Sequence, residues 1–80
     1  MVNTVWLLKR PGDFPDFDLI QEDDLLILIQ DAVLRIPSVD NWAVCKEDAV
    51  ARNIKVPEEK MLDYLDIIDI IEKSEKVVVW

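Results

Sequence analysis

Cys45 is the one residue of this sequence whose side chain is equipped for covalent chemistry. It ends an apolar run and comes directly before a helical pattern, Lys46–Arg52. A thiol at a helix N-terminus lies near the positive end of the helix dipole, which lowers its pKa and favours the nucleophilic thiolate. Lys46 adds a positive charge, whereas Glu47 and Asp48 oppose ionisation, so the direction of the net pKa shift is left open. The alternative is a buried cysteine that packs as a small hydrophobic side chain.

The rest of the inventory excludes several familiar kinds of site. The sequence has no histidine, which removes Ser-His-Asp and Cys-His nucleophile systems and histidine-based zinc or iron sites. A single cysteine allows neither a CxxC redox pair nor an internal disulfide. A single glycine, Gly12, allows neither a GxGxxG fingerprint nor a P-loop. We therefore expect no cofactor and no metal ion.

Carboxylates are dense in the segment that precedes the second apolar run. They are Asp13, Asp16, Asp18, Glu22, Asp23 and Asp24. Such density can supply oxygen ligands to Ca²⁺ or Mg²⁺, but the D-x-[DN]-x-[DN]-G pattern of an EF-hand loop is absent. We interpret this stretch as a solvated loop and helix start.

The charge balance and the apolar content bear on the partners. Seventeen acidic residues against nine basic ones give a net charge of -8, and no Lys/Arg cluster is present that would grip a phosphate backbone. We expect no direct nucleic-acid binding, whereas an acidic surface suits a basic protein partner as well as solubility. Because 51% of only 80 residues are hydrophobic, we expect part of the apolar side chains to be buried against another subunit in a homo- or hetero-oligomer.

Neither a secretory signal nor a membrane helix is predicted. Met1 leads directly into the apolar run Val2–Leu8 with no basic segment before it. The longest apolar run, Leu25–Ile29, is far shorter than the roughly 18 residues that a membrane helix needs. Together with the single cysteine, these features predict a reduced, cytoplasmic protein with no membrane partner.

The elements that must position Cys45 follow from an alternation of short apolar runs with helical patterns. Strands are predicted at Val2–Leu8, Leu25–Ile29, Asn41–Cys45, Lys60–Leu62 and Val77–Trp80. Helical segments are predicted at Phe17–Glu22, Asp31–Ile36, Lys46–Arg52 and Asp63–Lys73. This alternation predicts a single domain, residues 1–80, of the α/β class. We expect a minimal flavodoxin-like, doubly wound, mainly parallel sheet of 4–5 strands with helices on both faces, in the order 2-1-3-4-5.

Individual residues mark where the helical segments begin and end. Asp16 and Asp63 are suited to N-cap the segments that follow them, and Asn53 suits a left-handed position after a helix. In the last helix one face is formed by Tyr64, Ile67, Ile68 and Ile71. Among the tryptophans, Trp6 and Trp42 are predicted in the core or an interface, and Trp80 docked on its own sheet or on a neighbour.

Several segments resemble the DsrE/DsrF/DsrH superfamily. Leu25–Val33 (LLILIQDAV) is similar to its signature of a strand followed by Gln-Asp/Asn-Gly-Val, with Ala32 in place of Gly. Trp42–Ile54 (WAVCKEDAVARNI) is similar to the V-Y-A-L-x-E-D-x-x-A-R-G-I segment of TusB/DsrH proteins, with Asn53 in place of Gly. Leu62–Tyr64, the helix after it and the final apolar stretch also resemble TusB/DsrH, so the resemblance covers most of the chain.

The resemblance implies a doubly wound α/β fold, an oligomer, and sulfur transfer through persulfides. The known roles are tRNA wobble-uridine 2-thiolation and dissimilatory sulfur oxidation. In the sulfur-carrying TusD/DsrE subunits a cysteine ends the third strand, in a pattern like C-V-A-A-A-L-R-R-G-V. Against it, Cys45–Ile54 (CKEDAVARNI) places Cys45 on that cysteine, Arg52 on the second Arg and Asn53 on the Gly. TusB/DsrH proteins usually have an aliphatic residue there, so this chain resembles TusB with a thiol in the TusD position.

Two functions therefore stay open. In the first, the chain is a sulfur-relay protein of TusB/DsrH type whose Cys45 accepts sulfane sulfur as a persulfide and passes it on. In the second, it is a non-catalytic interaction subunit of a hetero-oligomeric sulfur-transfer complex. Whether it is an enzyme, a sulfurtransferase, is left open. In both cases the expected partners are proteins: a sulfur donor, an acceptor, and DsrE/DsrF-like paralogues.

Overall fold

Five parallel strands form one sheet with helical segments on both faces in a computed structural model, which describes residues 2–80. The strands are β1 (Thr4–Leu8), β2 (Leu25–Leu28), β3 (Trp42–Cys45), β4 (Met61–Leu62) and β5 (Lys76–Val79). The α-helices are α1 (Lys46–Ala51) and α2 (Tyr64–Lys73), and shorter 3-10 helices span Phe17–Leu19, Gln30–Leu34 and Glu58–Lys60. The predicted α/β class with a parallel sheet is confirmed. Met1, with which the predicted domain begins, lies outside the described residues.

The order of the strands is β4-β3-β2-β1-β5, so the predicted order 2-1-3-4-5 is wrong. That order would require the connection from β2 to cross over β1 before reaching β3. This connection, residues 29–41, holds only a five-residue 3-10 helix, which suits a step to the adjacent strand. The first three connections each add the next strand at the same edge, and α2 alone crosses back over the sheet to β5.

The two faces of the sheet carry separate apolar clusters because consecutive strand residues point to opposite sides. One cluster, on the α1 face, is built around Leu8, Leu26, Leu28, Ala32, Val33, Val44 and Ala49. The other, on the α2 face, is built around Val5, Ile27, Cys45 and Ile67. Full burial of each large aliphatic side chain in these clusters stabilises the fold by about 1.5–3 kcal/mol. Since Cys45 belongs to the second cluster, it lies on the face of the sheet that α2 covers.

The predicted cap residues are confirmed, whereas the three shorter helical segments end one to three residues earlier than predicted. Asp63 N-caps α2, since its Oδ1 accepts the backbone N–H of Asp66 at 2.8 Å while the Asp66 carboxylate accepts the N–H of Asp63. Asp16 caps the first 3-10 helix through the N–H of Asp18 at 3.0 Å. After α1, Asn53 has a φ of 54°, the left-handed conformation that stops a helix.

The buried stripe of α2 differs from the face predicted from spacing. Ile67 is buried, and Ile70 and Ile71 are half-buried against the second cluster. Tyr64 and Ile68, which share the predicted face, are exposed. The helix is thus rotated so that one apolar flank packs on the sheet and another is left at the surface.

The tryptophans pack against the sheet. Trp6 and Trp42 are half-buried and contact the cluster on the α1 face, in keeping with the predicted position in the core or an interface. Trp80 lies with its ring centroid 6.0 Å from that of Trp6, so it docks on its own sheet. Within residues 2–80 the longest helix has ten residues, and none has the length and apolar character needed to cross a membrane.

Candidate functional site

A crevice opens at the carboxyl ends of β3 and β4, two neighbouring strands whose following helices leave in opposite directions. α1 follows β3 and packs Ala49 on one face, whereas α2 follows β4 and packs Ile67 on the other. In open α/β sheets, a point where neighbouring connections diverge in this way is where ligands bind. Cys45, the last residue of β3, lies at this point, as the sequence predicted.

The Cys45 side chain is nevertheless closed off from solvent. Its exposed fraction is 0%, and it packs with Val5, Ile27 and Ile67 in the cluster beneath α2. The thiol donates a hydrogen bond to Oε2 of Glu47 at 3.4 Å. The sulfur is therefore held as a protonated donor between an apolar cluster and a surface carboxylate.

The surroundings of the thiol raise its pKa above the ordinary value of 9.0. Burial is the largest cause, because it penalises the charged thiolate. The backbone N–H of Asp48 acts in the opposite direction and favours the thiolate, although the sulfur does not form a capping hydrogen bond to α1. The charge of Asp48 and the hydrogen bond to Glu47 add to the rise. The direction that the sequence left open is thus upward, and Lys46 does not reverse it.

Tyr64, the first residue of α2, has its hydroxyl close to the thiol. Its hydroxyl pKa is raised above the ordinary value of 10.0, mainly by negative charge at Cys45 and then by that of Asp48. The ring is largely exposed. The buried thiol thus has two surface residues, Tyr64 and Glu47, close to it. Sequence spacing placed Tyr64 among core positions and gave no signal for its proximity to the thiol.

A polar network ties the segment after β2 to α1 beside the crevice. Gln30 has a φ of 52°, which side chains other than glycine rarely adopt, and its backbone N–H donates to Oδ2 of Asp48 at 2.8 Å. Arg52 contacts Asp31 at 2.9 Å and Asp48 at 3.6 Å. Only the Asp48–Arg52 pair, one helical turn apart, was detectable from sequence. The network pairs Arg52 with both carboxylates and holds Gln30 and Asp31 against α1.

Two adjoining clefts, each of about 500 Å³, lie beside the starts of α1 and α2 and share Lys46 and Asp63. The first is also lined by Val56, Glu58, Met61 and Asp66, and the second by Glu47, Val50 and Ala51. Carboxylates outnumber the single lysine in this lining. The crevice therefore favours a cationic or apolar group over an anion.

The dense carboxylates of the N-terminal half do not form a common site. Asp24 is buried, and its Oδ2 accepts hydrogen bonds from Nε1 of Trp6 at 3.2 Å and from the backbone N–H of Gln21 at 3.0 Å. Asp16 serves as a helix cap. Across residues 2–80, no three Cys, Asp or Glu side chains converge in a way that could hold a metal ion.

Comparison of the chain with protein-family models, with curated proteins and with solved structures found no match.

Proposed function

We propose that this chain is a sulfur-relay subunit of TusB/DsrH type that works in a cytoplasmic oligomer with DsrE/DsrF-like paralogues. The pathway is tRNA wobble-uridine 2-thiolation or sulfur oxidation, and the chain itself binds no nucleic acid. The parallel α/β sheet supports this proposal because it is the fold that the resemblance implies. Asn53 adds support, since its φ of 54° is the conformation that the glycine of the family pattern would supply.

Within such a complex, we assign the chain the role of a non-catalytic interaction subunit. The observation that carries this assignment is the state of Cys45: fully buried, hydrogen-bonded to Glu47, and with a raised pKa. Persulfide exchange needs an accessible thiolate. A thiol that is buried and held protonated lacks both properties, whereas it packs well as a small apolar side chain in the position where TusB/DsrH proteins have an aliphatic residue.

A second role, persulfide carrier, is favoured by where Cys45 lies. It ends β3 at the diverging crevice, and the Asp48 backbone N–H favours its thiolate form. In this role the Cys45 thiolate attacks the sulfane sulfur of a donor persulfide. An Sγ–S bond forms, the S–S bond of the donor breaks, and the donor leaves as a thiolate. Tyr64 and Glu47 would have to move aside first.

One experiment separates the two roles. The chain is co-expressed with its DsrE-like and DsrF-like paralogues, and the complex is purified and treated with a persulfide donor. The intact mass of each subunit is then measured by mass spectrometry. An interaction subunit predicts a complex in which a paralogue gains sulfur and this chain does not, with the same result for Cys45→Ser. Sulfur added to this chain in the wild type but not in Cys45→Ser assigns the carrier role instead. If no complex forms and no subunit gains sulfur, the relay proposal is wrong.

A further inference from the structure

The α2 face of the sheet is wider than the single helix that covers it. Five strands about 4.8 Å apart place the two outer strands roughly 19 Å from each other. A ten-residue helix is about 15 Å long and 10 Å wide. α2 can therefore cover only about half of this face. The opposite face carries α1 and the residues of three connections.

Apolar side chains remain at the surface on and beside α2. On the helix, Leu65 is 77% exposed and Ile68 is 51% exposed, next to the exposed ring of Tyr64. On the sheet, Val79 is exposed and lies in register with the half-buried Leu7 of β1. We call Tyr64, Leu65 and Ile68, which neighbour one another on the helix, the α2 surface. Exposed apolar groups that cluster on one face of a small protein mark an interaction site.

The charges around the α2 surface indicate what covers it. α2, together with its cap residue Asp63, carries four carboxylates against one lysine. This lysine, Lys73, is engaged by Asp69 of the same helix at 3.1 Å. A two-fold contact between copies of this chain would bring like charges together. A partner with Lys and Arg around an apolar centre would meet opposite charges instead.

We propose that the α2 surface docks an apolar surface rimmed by Lys and Arg on a different protein, and that it is not a contact between copies of this chain. Leu65 and Ile68 supply the apolar contacts, and the carboxylates of α2 orient the partner and speed its association. This inference deepens the proposed function, since it assigns the surface through which an interaction subunit would meet its partner. Its basis is the uncovered face and its charge, not sulfur chemistry.

The test uses two synthetic amphipathic helical peptides as probes. Both have the same leucine face, flanked by lysines in one and by glutamates in the other, and binding is measured by fluorescence anisotropy. We expect the lysine peptide to bind about tenfold more tightly than the glutamate peptide at low salt, and less tightly as salt rises. Equal binding of the two peptides, or no binding of the lysine peptide, overturns the proposal.

Matched variants locate the contact. Leu65→Ser/Ile68→Ser is expected to weaken binding of the lysine peptide about tenfold. Leu34→Ser/Ile36→Ser is the control, because Leu34 (55% exposed) and Ile36 (47% exposed) lie elsewhere on the surface. Circular dichroism verifies that both variants are folded. An equal loss in the control pair overturns the assignment of the surface.

Sedimentation of the wild-type protein provides the second readout. A stable homodimer that is lost in Leu65→Ser/Ile68→Ser but kept in the control pair would assign the α2 surface to a second copy and overturn the proposal. These measurements contain neither a sulfur donor nor a paralogue. Peptide binding and sedimentation can therefore give the expected result even if the relay proposal is wrong. The sulfur-transfer experiment can likewise succeed even if neither peptide binds.

Discussion

The Cys45 thiol donates its hydrogen bond to Glu47, which lies two residues later in the first turn of α1, with Sγ and Oε2 3.4 Å apart. A carboxylate that accepts from a thiol stabilises the protonated form, and burial acts in the same direction. The residue that the sequence marks as the best nucleophile is therefore held in its least nucleophilic state. The short α1 helix does not offset this, because the cost of burying a thiolate is the largest influence on the pKa.

Glu47→Gln should make Cys45 more reactive. Removing the carboxylate that accepts the hydrogen bond of the thiol lowers the thiol pKa, and each unit by which the pKa falls raises the thiolate fraction about tenfold. We expect the rate of reaction with a thiol reagent at pH 8 to rise by up to about tenfold, although burial keeps it well below the rate in urea. Glu22→Gln, which changes an exposed carboxylate distant in sequence from Cys45, is the control. A wild-type rate in Glu47→Gln would show that the hydrogen bond does not govern reactivity.

The free energy of unfolding should fall as the pH rises above the ordinary pKa of 9.0 of the cysteine. The unfolded thiol ionises in this range while the folded thiol stays protonated, so unfolding releases a proton and becomes more favourable. The stabilisation is complete below pH 9.0 and is lost as the pH rises through the higher pKa of the folded state. Urea unfolding from pH 7 to about pH 10 measures this dependence.

Two variants assign that pH dependence to its groups. Cys45→Ala should flatten the decline, whatever its effect on stability at pH 7. Tyr64→Phe should flatten only the most alkaline part, since the tyrosine pKa is raised from 10.0. An unchanged slope in Cys45→Ala would contradict the raised thiol pKa.

Ile67 and Ile68 should differ sharply in their effect on stability. Ile67 is buried against the sheet, so Ile67→Ala should lower the free energy of unfolding by about 2–5 kcal/mol. Ile68 is exposed, and Ile68→Ala should change it by less than about 0.5 kcal/mol. Urea denaturation of the two variants measures both values. Similar losses at the two positions would mean that α2 is rotated relative to the orientation described above.

Asn53 should tolerate glycine and not alanine. Its φ of 54° costs a residue with a Cβ about 1–2 kcal/mol, and asparagine offsets part of this through local hydrogen bonding. We expect Asn53→Ala to lower the free energy of unfolding by about 1 kcal/mol and Asn53→Gly to leave it unchanged or slightly higher. Lys55→Ala, at a nearby exposed position, is the control for thermal melts of the three variants. Equal melting temperatures for the alanine and glycine variants at position 53 would contradict the role assigned to this conformation.

The sequence predicts elements well and their arrangement poorly. The apolar run Leu25–Leu28 and the Asp63 cap act locally, so the strand, the helix start and the α/β class follow from them. Strand order depends on how far each connection can reach across the sheet, and the lengths of the apolar runs do not indicate that reach. At the site, the position of Cys45 at a strand end was predictable. Its burial depends on Ile67, Ile70 and Ile71, which come from α2, after β4 in the chain.

The pairing of β5 with β1 has a kinetic consequence. It joins Thr4 to Lys76, so this edge of the sheet forms only after almost all of the intervening chain has been positioned. Most β5 side chains are exposed, which leaves little burial to hold the strand once it opens. When it does, β1 presents an unpaired apolar edge that can accept a strand from another molecule. Exchange of β5 between copies is therefore a route from this fold to a domain-swapped or aggregated state.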